Sequence, residues 1–520
     1  MAPALLFDEN GTSSPASESS ISSSAMDEAP ALTISQNRRS RRNRNSLRSP
    51  LLKRSARGPP LILEEAKGNW LSVSDETKAW RIFDASGGAA VSNIGHKDQR
   101  VYDAIRQQEE TGVGYAASMS FQTEVAEDFA DFLLESTDDK MTEVVFYGSG
   151  SEANEAAQKL AYQYHSKLKD NPQPQRRWFI ARDRSYHGAT LGALEGSGHK
   201  GRKDMYKPIL PEKTQFISPC NPCRDMIKGE TTAQYVKRLQ DELERKILDL
   251  GPETVAGFVM EPVVGAALGC VPALPGYLSA MKSVCKKYGV LFILDEVMSG
   301  MGRTGYMHAW QDEDVVPDIQ LVGKGLAGGY AAISAMLVGP VITDALGEAA
   351  FAHGHTFQNF PAACAAGLAV QHIVRDDNLL ENVRDKGDKL MKKLMTRLSD
   401  HPNVFDIRGK GLFLGIEFVQ DKKTKAPFDP EVAVAWRVHE LGMFVLLLRV
   451  IHRLTTTSGL KDGYNVYMYP GSGTVDGNRG DHVIIAPAYN ITDTDVEFIV
   501  DRVSKTVFDF FEELSIAPKL

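Results

Sequence analysis

From about residue 60 onward, short apolar runs alternate with longer segments whose apolar positions recur at helical spacing. "EVVFYG" (143–148), "RWFIAR" (177–182), "VAGFVME" (255–261), "VLFILDE" (290–296), "DIQLVG" (318–323) and "AAISAMLVG" (331–339) have the length and continuity of buried strands. Between several of them lie helical patterns, such as "SEANEAAQKLAYQYHSKL" (151–168) and "GYLSAMKSVCKKYG" (276–289). This alternation predicts an α/β layer with a mainly parallel sheet flanked by helices. From about residue 385 the pattern changes to a helix, the hairpin-like "VFDIRGKGLFLGIEFV" and a final helix, so a second, smaller α+β domain is expected.

Residues 1–58 read differently. They begin Ser-rich ("TSSPASESSISSSA") and end in the basic run "NRRSRRNRNSLRSPLLKRSARGPP". Low hydrophobicity and like charges do not offset ordering entropy, so a disordered Ser/Arg-rich tail is expected. A mitochondrial presequence is disfavoured, because the first 37 residues hold Asp8, Glu9, Glu18, Asp27 and Glu28 but no Lys or Arg. The opening "MAPALLFDEN" also lacks the basic start of a secretory signal.

Charge and composition narrow the field. The net charge of −8 argues against a nucleic-acid-binding body. The longest apolar candidate, "GMFVLLLRVI" from Gly442, carries Arg449 and falls short of the roughly 20 residues of a membrane helix, so no membrane partner is expected. Five cysteines do not make a disulfide framework, and a reducing, cytoplasmic setting is expected. Cys220 and Cys223 form a lone C-x-x-C with no second pair at zinc spacing, which favours a structural loop over a metal site. No metal is expected.

In open α/β sheets ligands bind beyond the carboxyl ends of the strands, so the residues ending each run are the ones that carry chemistry. "YGSGSEANEAA" follows one strand and opens a helix; it either caps that helix or seats a phosphate on free backbone N–H groups. It is neither a Walker loop nor a dinucleotide fingerprint, since no Gly-Lys-Ser/Thr follows and Ala153 replaces the last glycine. Asp295 ends the apolar "VLFILDE", where a carboxylate needs a cationic partner or a structural ion pair. Tyr186 and His187 in "RSYHGAT" offer an aromatic face beside an imidazole, or a packed core pair. Lys324 sits between "DIQLV" and "GLAGGY"; it is either a solvated lysine in a turn or an amine whose lost hydration lowers its pKa and frees it to attack a carbonyl. One ligand accounts for all four places. Pyridoxal 5′-phosphate needs a helix N-terminus for its phosphate, an aromatic face for its ring, a carboxylate for its pyridine nitrogen and a lysine for its aldehyde.

Over roughly residues 60–515 the chain resembles class III (omega-type) aminotransferases of the fold-type I pyridoxal-phosphate group. The motifs are "GSGSEANEAA", "YHGAT", "EPVVGA", "LDEVMSGMGRTG", "GKGLAGGY", "HGHTFQNFPAACAAGLA" and "RGKGLFLGIEF". The resemblance implies a large cofactor-binding domain over 116–384 and a small domain built from 59–115 and 385–520. It implies Lys324 as Schiff-base lysine and proton shuttle, Asp295 as partner of the pyridinium, Tyr186 on one ring face and Val297 on the other. Gly150 and Ser151 would hold the phosphate, His187 would adjoin the cofactor, and Glu261 would brace the site through a Glu-Pro turn. Thr356 would reach the phosphate bound by a neighbouring subunit, so a homodimer is implied. The implied activity moves an amino group between an amine or amino acid and a keto acid, aldehyde or ketone, with ping-pong kinetics.

Three departures bear on substrate. Ile484, in "GDHVIIAPAYN", stands where relatives acting on α-amino acids or ornithine carry an arginine, and Ala266 where they often carry a glutamate. Both point to the amine-type branch, with Arg479 as the candidate contact for an acid co-substrate. Ala90 lies where some amine-type members place a tryptophan, implying a roomier pocket. "FVLLLRVIHRLTTTS" (444–458) is an additional segment relative to the family pattern. An aminomutase, racemase or decarboxylase would share these motifs. A non-catalytic scaffold is the reading from another class, and the retained Lys324 and Asp295 argue against it.

Overall fold

A computed structural model describes residues 51, 52, 54, 60–75, 78–443 and 464–516. The disordered tail expected at 1–58 falls almost wholly outside the described residues, and the additional segment 444–458 falls outside them entirely. Leu61–Leu520 forms one compact unit.

The unit begins with three strands, β1 (Ile62–Lys67), β2 (Trp70–Ser74) and β3 (Ala79–Asp84), in an antiparallel meander. The central sheet follows: β4 (Glu143–Tyr147), β5 (Trp178–Arg182), β6 (Thr214–Ile217) and β7 (Val255–Met260), then a two-residue pair β8 (Val263–Val264) and β9 (Val271–Pro272), then β10 (Leu291–Asp295), β11 (Ile319–Val322) and β12 (Ser334–Val338). Its order is β4-β12-β11-β10-β7-β5-β6. Only β12 runs antiparallel to its neighbours, so the sheet is mainly parallel as the run lengths predict. The six expected strands are all present. The seventh, β6, reads only "TQFI", and two of its four residues are half-buried at the sheet edge, which erases the apolar signature.

The sheet is covered on both faces. Ile293, Ile319 and Leu321 pack with Ala153, Ala157 and Leu160 of the helix Gly150–Lys167. Phe292 and Leu294, alternating with them, pack with Leu278 and Met281 of the helix Tyr277–Tyr288. This alternation points successive side chains to opposite layers and explains why the run is apolar throughout.

The C-terminal part supplies β13 (Val404–Lys410) and β14 (Phe413–Phe418), the expected hairpin, then β15 (Val466–Tyr467), β16 (Tyr469–Ser472) and β17 (Asp481–Ile485), and a long helix Asp493–Ile516. β15 pairs in parallel with β3, so the ends of the chain share a sheet. β13-β14-β17-β16 makes a second small sheet. No helix among the described residues is long and apolar enough to cross a membrane.

Candidate active site

Five loops leave the sheet on one edge, because β4, β5, β7, β10 and β11 all point the same way. They carry Gly150-Ser151, Tyr186-His187, Glu261, Asp295-Val297 and Lys324. The sequence spacing scatters these residues over 175 positions; the parallel topology brings them to one crevice.

Asp295 is the last residue of β10 and is buried. Its Oδ2 accepts a 2.7 Å hydrogen bond from His187 Nδ1, and its Oδ1 accepts from the Val297 backbone N–H at 3.1 Å. The imidazole is therefore oriented by the carboxylate on one side, while its buried Nε2 has no partner. The carboxylate is pinned rather than free to turn to solvent. His187 is itself fixed by its backbone N–H, which donates to Ser197 Oγ at 2.8 Å.

Lys324 opens a single 3-10 turn just past β11 and has left-handed backbone, with φ +46. The turn is clamped from two sides: Asn93 Nδ2 and Gln371 Nε2 both donate to Gly325 O at 2.9 Å. The residue is half-buried, and desolvation by the atoms packed around its amine pulls its pKa below the ordinary lysine range. The charges of Asp295 and Glu261 oppose that shift without cancelling it, and Arg202 adds to it.

Glu261, one residue beyond β7, ties the neighbouring loops together. Its Oε1 accepts from Tyr186 N at 3.0 Å and its Oε2 from Gly265 N at 3.1 Å. Burial raises its pKa, the largest of the influences on it. Tyr186 is half-buried, packed beside Val264, Ala267 and Leu268.

The phosphate-type loop is built around close approaches. Ser149 caps the helix Gly150–Lys167 through its side chain, and Ser334 Oγ donates to Ser149 O at 2.7 Å. A Cβ on Gly150 would lie 2.9 Å from both methyls of Val297, so only glycine lets the helix start against that side chain. Gly188, at φ +143, would bring a Cβ within 2.6 Å of Ser151 Oγ, which accepts from Ala189 N at 3.0 Å. These residues fit pyridoxal phosphate on structural grounds: a capped helix start with glycine at its first position, a half-buried tyrosine, a buried oriented carboxylate, an orphaned imidazole nitrogen and a desolvated amine at one edge. Among the described residues no cluster of His, Cys, Asp and Glu is arranged to hold a metal.

The remaining candidates separate into three groups. Ala90 and Ile484 are both buried and meet in one apolar cluster with Val263, Cys270, Phe413 and Ala486. Ala266 is buried too. Thr356 lies on the exposed segment 354–357 and makes no hydrogen bond within its own chain to the other site residues. Arg479, expected to contact substrate, is exposed and instead turns back on its own loop, its Nε donating to Asp476 Oδ2 at 2.7 Å. The resemblance to the amine-type branch suggests the contact; in this structure the local Asp476 holds the guanidinium. Cys220 is buried and Cys223 exposed, and both are free thiols.

Sequence reasoning passed over Asn93, Gln371 and Arg202. The first two hold the lysine turn from distant segments, and nothing in their own neighbourhoods marks them. Arg202 lies with its guanidinium 4.3 Å from the Tyr186 ring, yet it sits in the polar run "HKGRKD", which reads as surface.

The sheet order and the residues at its carboxyl edge define a fold-type I pyridoxal-phosphate enzyme. Residues 52–462 match the family model described as aminotransferase class-III, and the chain belongs to that family. It is 46% identical over 447 residues to an aminotransferase of Gibberella zeae, covering 84% of this chain and 83% of that protein. An uncharacterized aminotransferase of Schizosaccharomyces pombe is 45% identical over 451 residues, covering 86% and 92%. Among solved structures, the omega transaminase from Pseudomonas jessenii in complex with PMP superposes with a TM-score of 0.76 at 28% identity, over 88% of this chain and 94% of that one. The protein is a pyridoxal-phosphate-dependent transaminase acting on small-molecule amine and keto substrates.

Proposed function

We propose that Lys324 and Asp295 are the catalytic pair of this transaminase, and that the site favours amines whose reacting carbon bears no carboxylate. The observation that carries the first part is the desolvated Lys324 amine held within reach of the Asp295 and Glu261 charges. Gly150 and Ser151 would hold the phosphate, Tyr186 and Val297 the two faces of the ring, and Asp295, oriented by His187, the pyridine nitrogen. Glu261 keeps Tyr186 in place. Bound pyridoxal phosphate supplies an aldehyde that exchanges amines and a protonated ring that withdraws electrons from the reacting carbon. Lys324 Nζ would take the proton from that carbon and deliver it to the cofactor side in one half-reaction, and carry it the opposite way in the other, which a neutral amine does and an ammonium does not. Donor and acceptor use the same crevice in turn, so the kinetics are ping-pong.

The second part rests on the cluster that joins Ala90 to Ile484. On this wall of the crevice it offers apolar surface and no cation to pair with a carboxylate on the reacting carbon. A comparison of kcat/KM for 1-phenylethylamine and for phenylglycine, which carry a methyl and a carboxylate respectively on the reacting carbon, is expected to favour the amine by roughly tenfold or more, the scale of a missing charge partner. A preference for phenylglycine would overturn the reading.

The active unit is a homodimer with shared sites. Thr356 is exposed beside Phe357, which is 64% exposed, and Met119 and Phe121 are 98% and 66% exposed. Tyr115 and Phe357 pair across the two segments with ring centroids 6.1 Å apart. Apolar side chains so bare imply a covering surface, and a second copy in a two-fold arrangement is the commonest one. Sedimentation at decreasing concentration is expected to show cofactor loss and activity loss tracking dissociation; a fully active monomer would contradict it.

The division into a large domain over 116–384 and a small domain from 59–115 and 385–520 is supported by the sheets. The central sheet uses only residues 143–338, and the β3–β15 pairing joins the two ends of the chain. A cytoplasmic setting is supported by five cysteines that are all free thiols.

A further inference from the structure

Arg202 is the cation that this site leaves without a partner. Among the described residues it forms no ion pair and no side-chain hydrogen bond; its guanidinium rests on the Tyr186 ring. The other basic groups near this edge are engaged. Arg182 donates to Glu261 O, Arg184 pairs with Asp225, and Arg224 and Arg408 share Glu417. Lys203 donates to Glu195 O. Arg479 holds Asp476.

The placement of Arg202 is fixed by its neighbours. Gly201 N donates to Gly477 O at 3.0 Å, which docks this segment on the loop leading into β17, the strand that carries Ile484. The Tyr186 ring lies under the guanidinium, its centroid 4.3 Å away. The Arg202 charge is felt both at Lys324 and at His482 of β17, whose ring is pushed down to about 3 chiefly by burial. The guanidinium, resting on the Tyr186 ring and one residue from the Gly201–Gly477 contact, is thus held beside both the Tyr186 loop and the loop leading into β17. A half-buried arginine with free donors there has a fork suited to a planar anion arriving with substrate. The cofactor phosphate has its own cradle at the start of the helix Gly150–Lys167.

We propose that Arg202 binds the carboxylate of the acid co-substrate, a small α-keto acid in one half-reaction and the matching amino acid in the other. This rests on the transaminase reading with Lys324 as its lysine. It resolves how a site with Ile484 and Ala90 facing a carboxylate-free amine still accepts an acid partner. The amine and the acid use different walls of one crevice, apolar on the β17 side and cationic on the Tyr186 side.

The test compares acceptors for the amine-loaded enzyme, with pyruvate as the acid probe and benzaldehyde as the uncharged one. In Arg202→Gln the ratio of kcat/KM for pyruvate to that for benzaldehyde is expected to fall roughly 10- to 100-fold, the scale of a lost charged hydrogen-bond pair. Arg202→Lys is expected to recover part of that ratio. A ratio equal to that of the unsubstituted protein overturns the proposal. So does a parallel loss of both acceptors with weakened pyridoxal-phosphate binding by fluorescence titration, which assigns the guanidinium to the cofactor's phosphate. If the unsubstituted protein passes an amino group to neither acceptor, the transaminase reading fails as well, and the two failures are told apart.

Discussion

Lys324→Ala is expected to leave a folded protein that binds pyridoxal phosphate without a covalent link and has lost turnover. Two functions go with the amine: exchange at the cofactor's aldehyde, and movement of the proton on the reacting carbon. The second alone accounts for roughly a 10²- to 10⁴-fold effect. The fold is expected to survive, because the turn is held by Asn93 and Gln371 through backbone carbonyls rather than through the lysine side chain. Borohydride reduction followed by peptide mapping checks the assignment: the label should appear on the peptide containing Lys324 and vanish in the variant. A label on Lys410, in the second "GKG", would sink it. That outcome is disfavoured by geometry, since Lys410 pairs with Asp312.

Asp295→Asn is the second large effect. The amide keeps its oxygen as acceptor for the Val297 N–H and turns its NH2 towards His187 Nδ1, which accepts in the Nε2-protonated tautomer, so packing and loop geometry should hold. What disappears is the charge that keeps a pyridine nitrogen protonated in a buried place. Turnover is expected to fall roughly 10²- to 10³-fold, the scale of removing one preorganised electrostatic contact. The loss should sit in the proton-transfer step, visible as a larger isotope effect when the donor's reacting carbon carries deuterium. Normal turnover would make Asp295 a structural carboxylate whose purpose is to hold His187.

Six of the seven strands of the central sheet were readable because both of their faces are covered, which makes each a continuous apolar run; β6, at the edge, was not. β1 was not, since "ILEEAK" is almost wholly exposed and carries no alternation. β15 was not, since two residues pairing with β3 leave no periodicity to detect. At the site, Lys324, Asp295 and Glu261 stood out for one physical reason: each is a charge ending an apolar strand, and such a charge requires a purpose. Asn93, Gln371 and Arg202 could not stand out, because their importance comes from what the fold brings to them. The resemblance to the amine-type branch points to Arg479, and it does not reveal that the carboxylate three residues earlier holds it in this structure.

The left-handed backbone of Lys324 has an evolutionary meaning. A non-glycine residue at φ +46 costs on the order of 1–3 kcal/mol, and glycine at that position would relieve it. Pressure for stability alone therefore pulls position 324 away from lysine, in a loop already rich in glycine. A descendant released from its chemistry should lose this lysine early, gaining robustness as it does so. Lysine at 324 thus holds a strain that glycine, the residue on either side of it, would release.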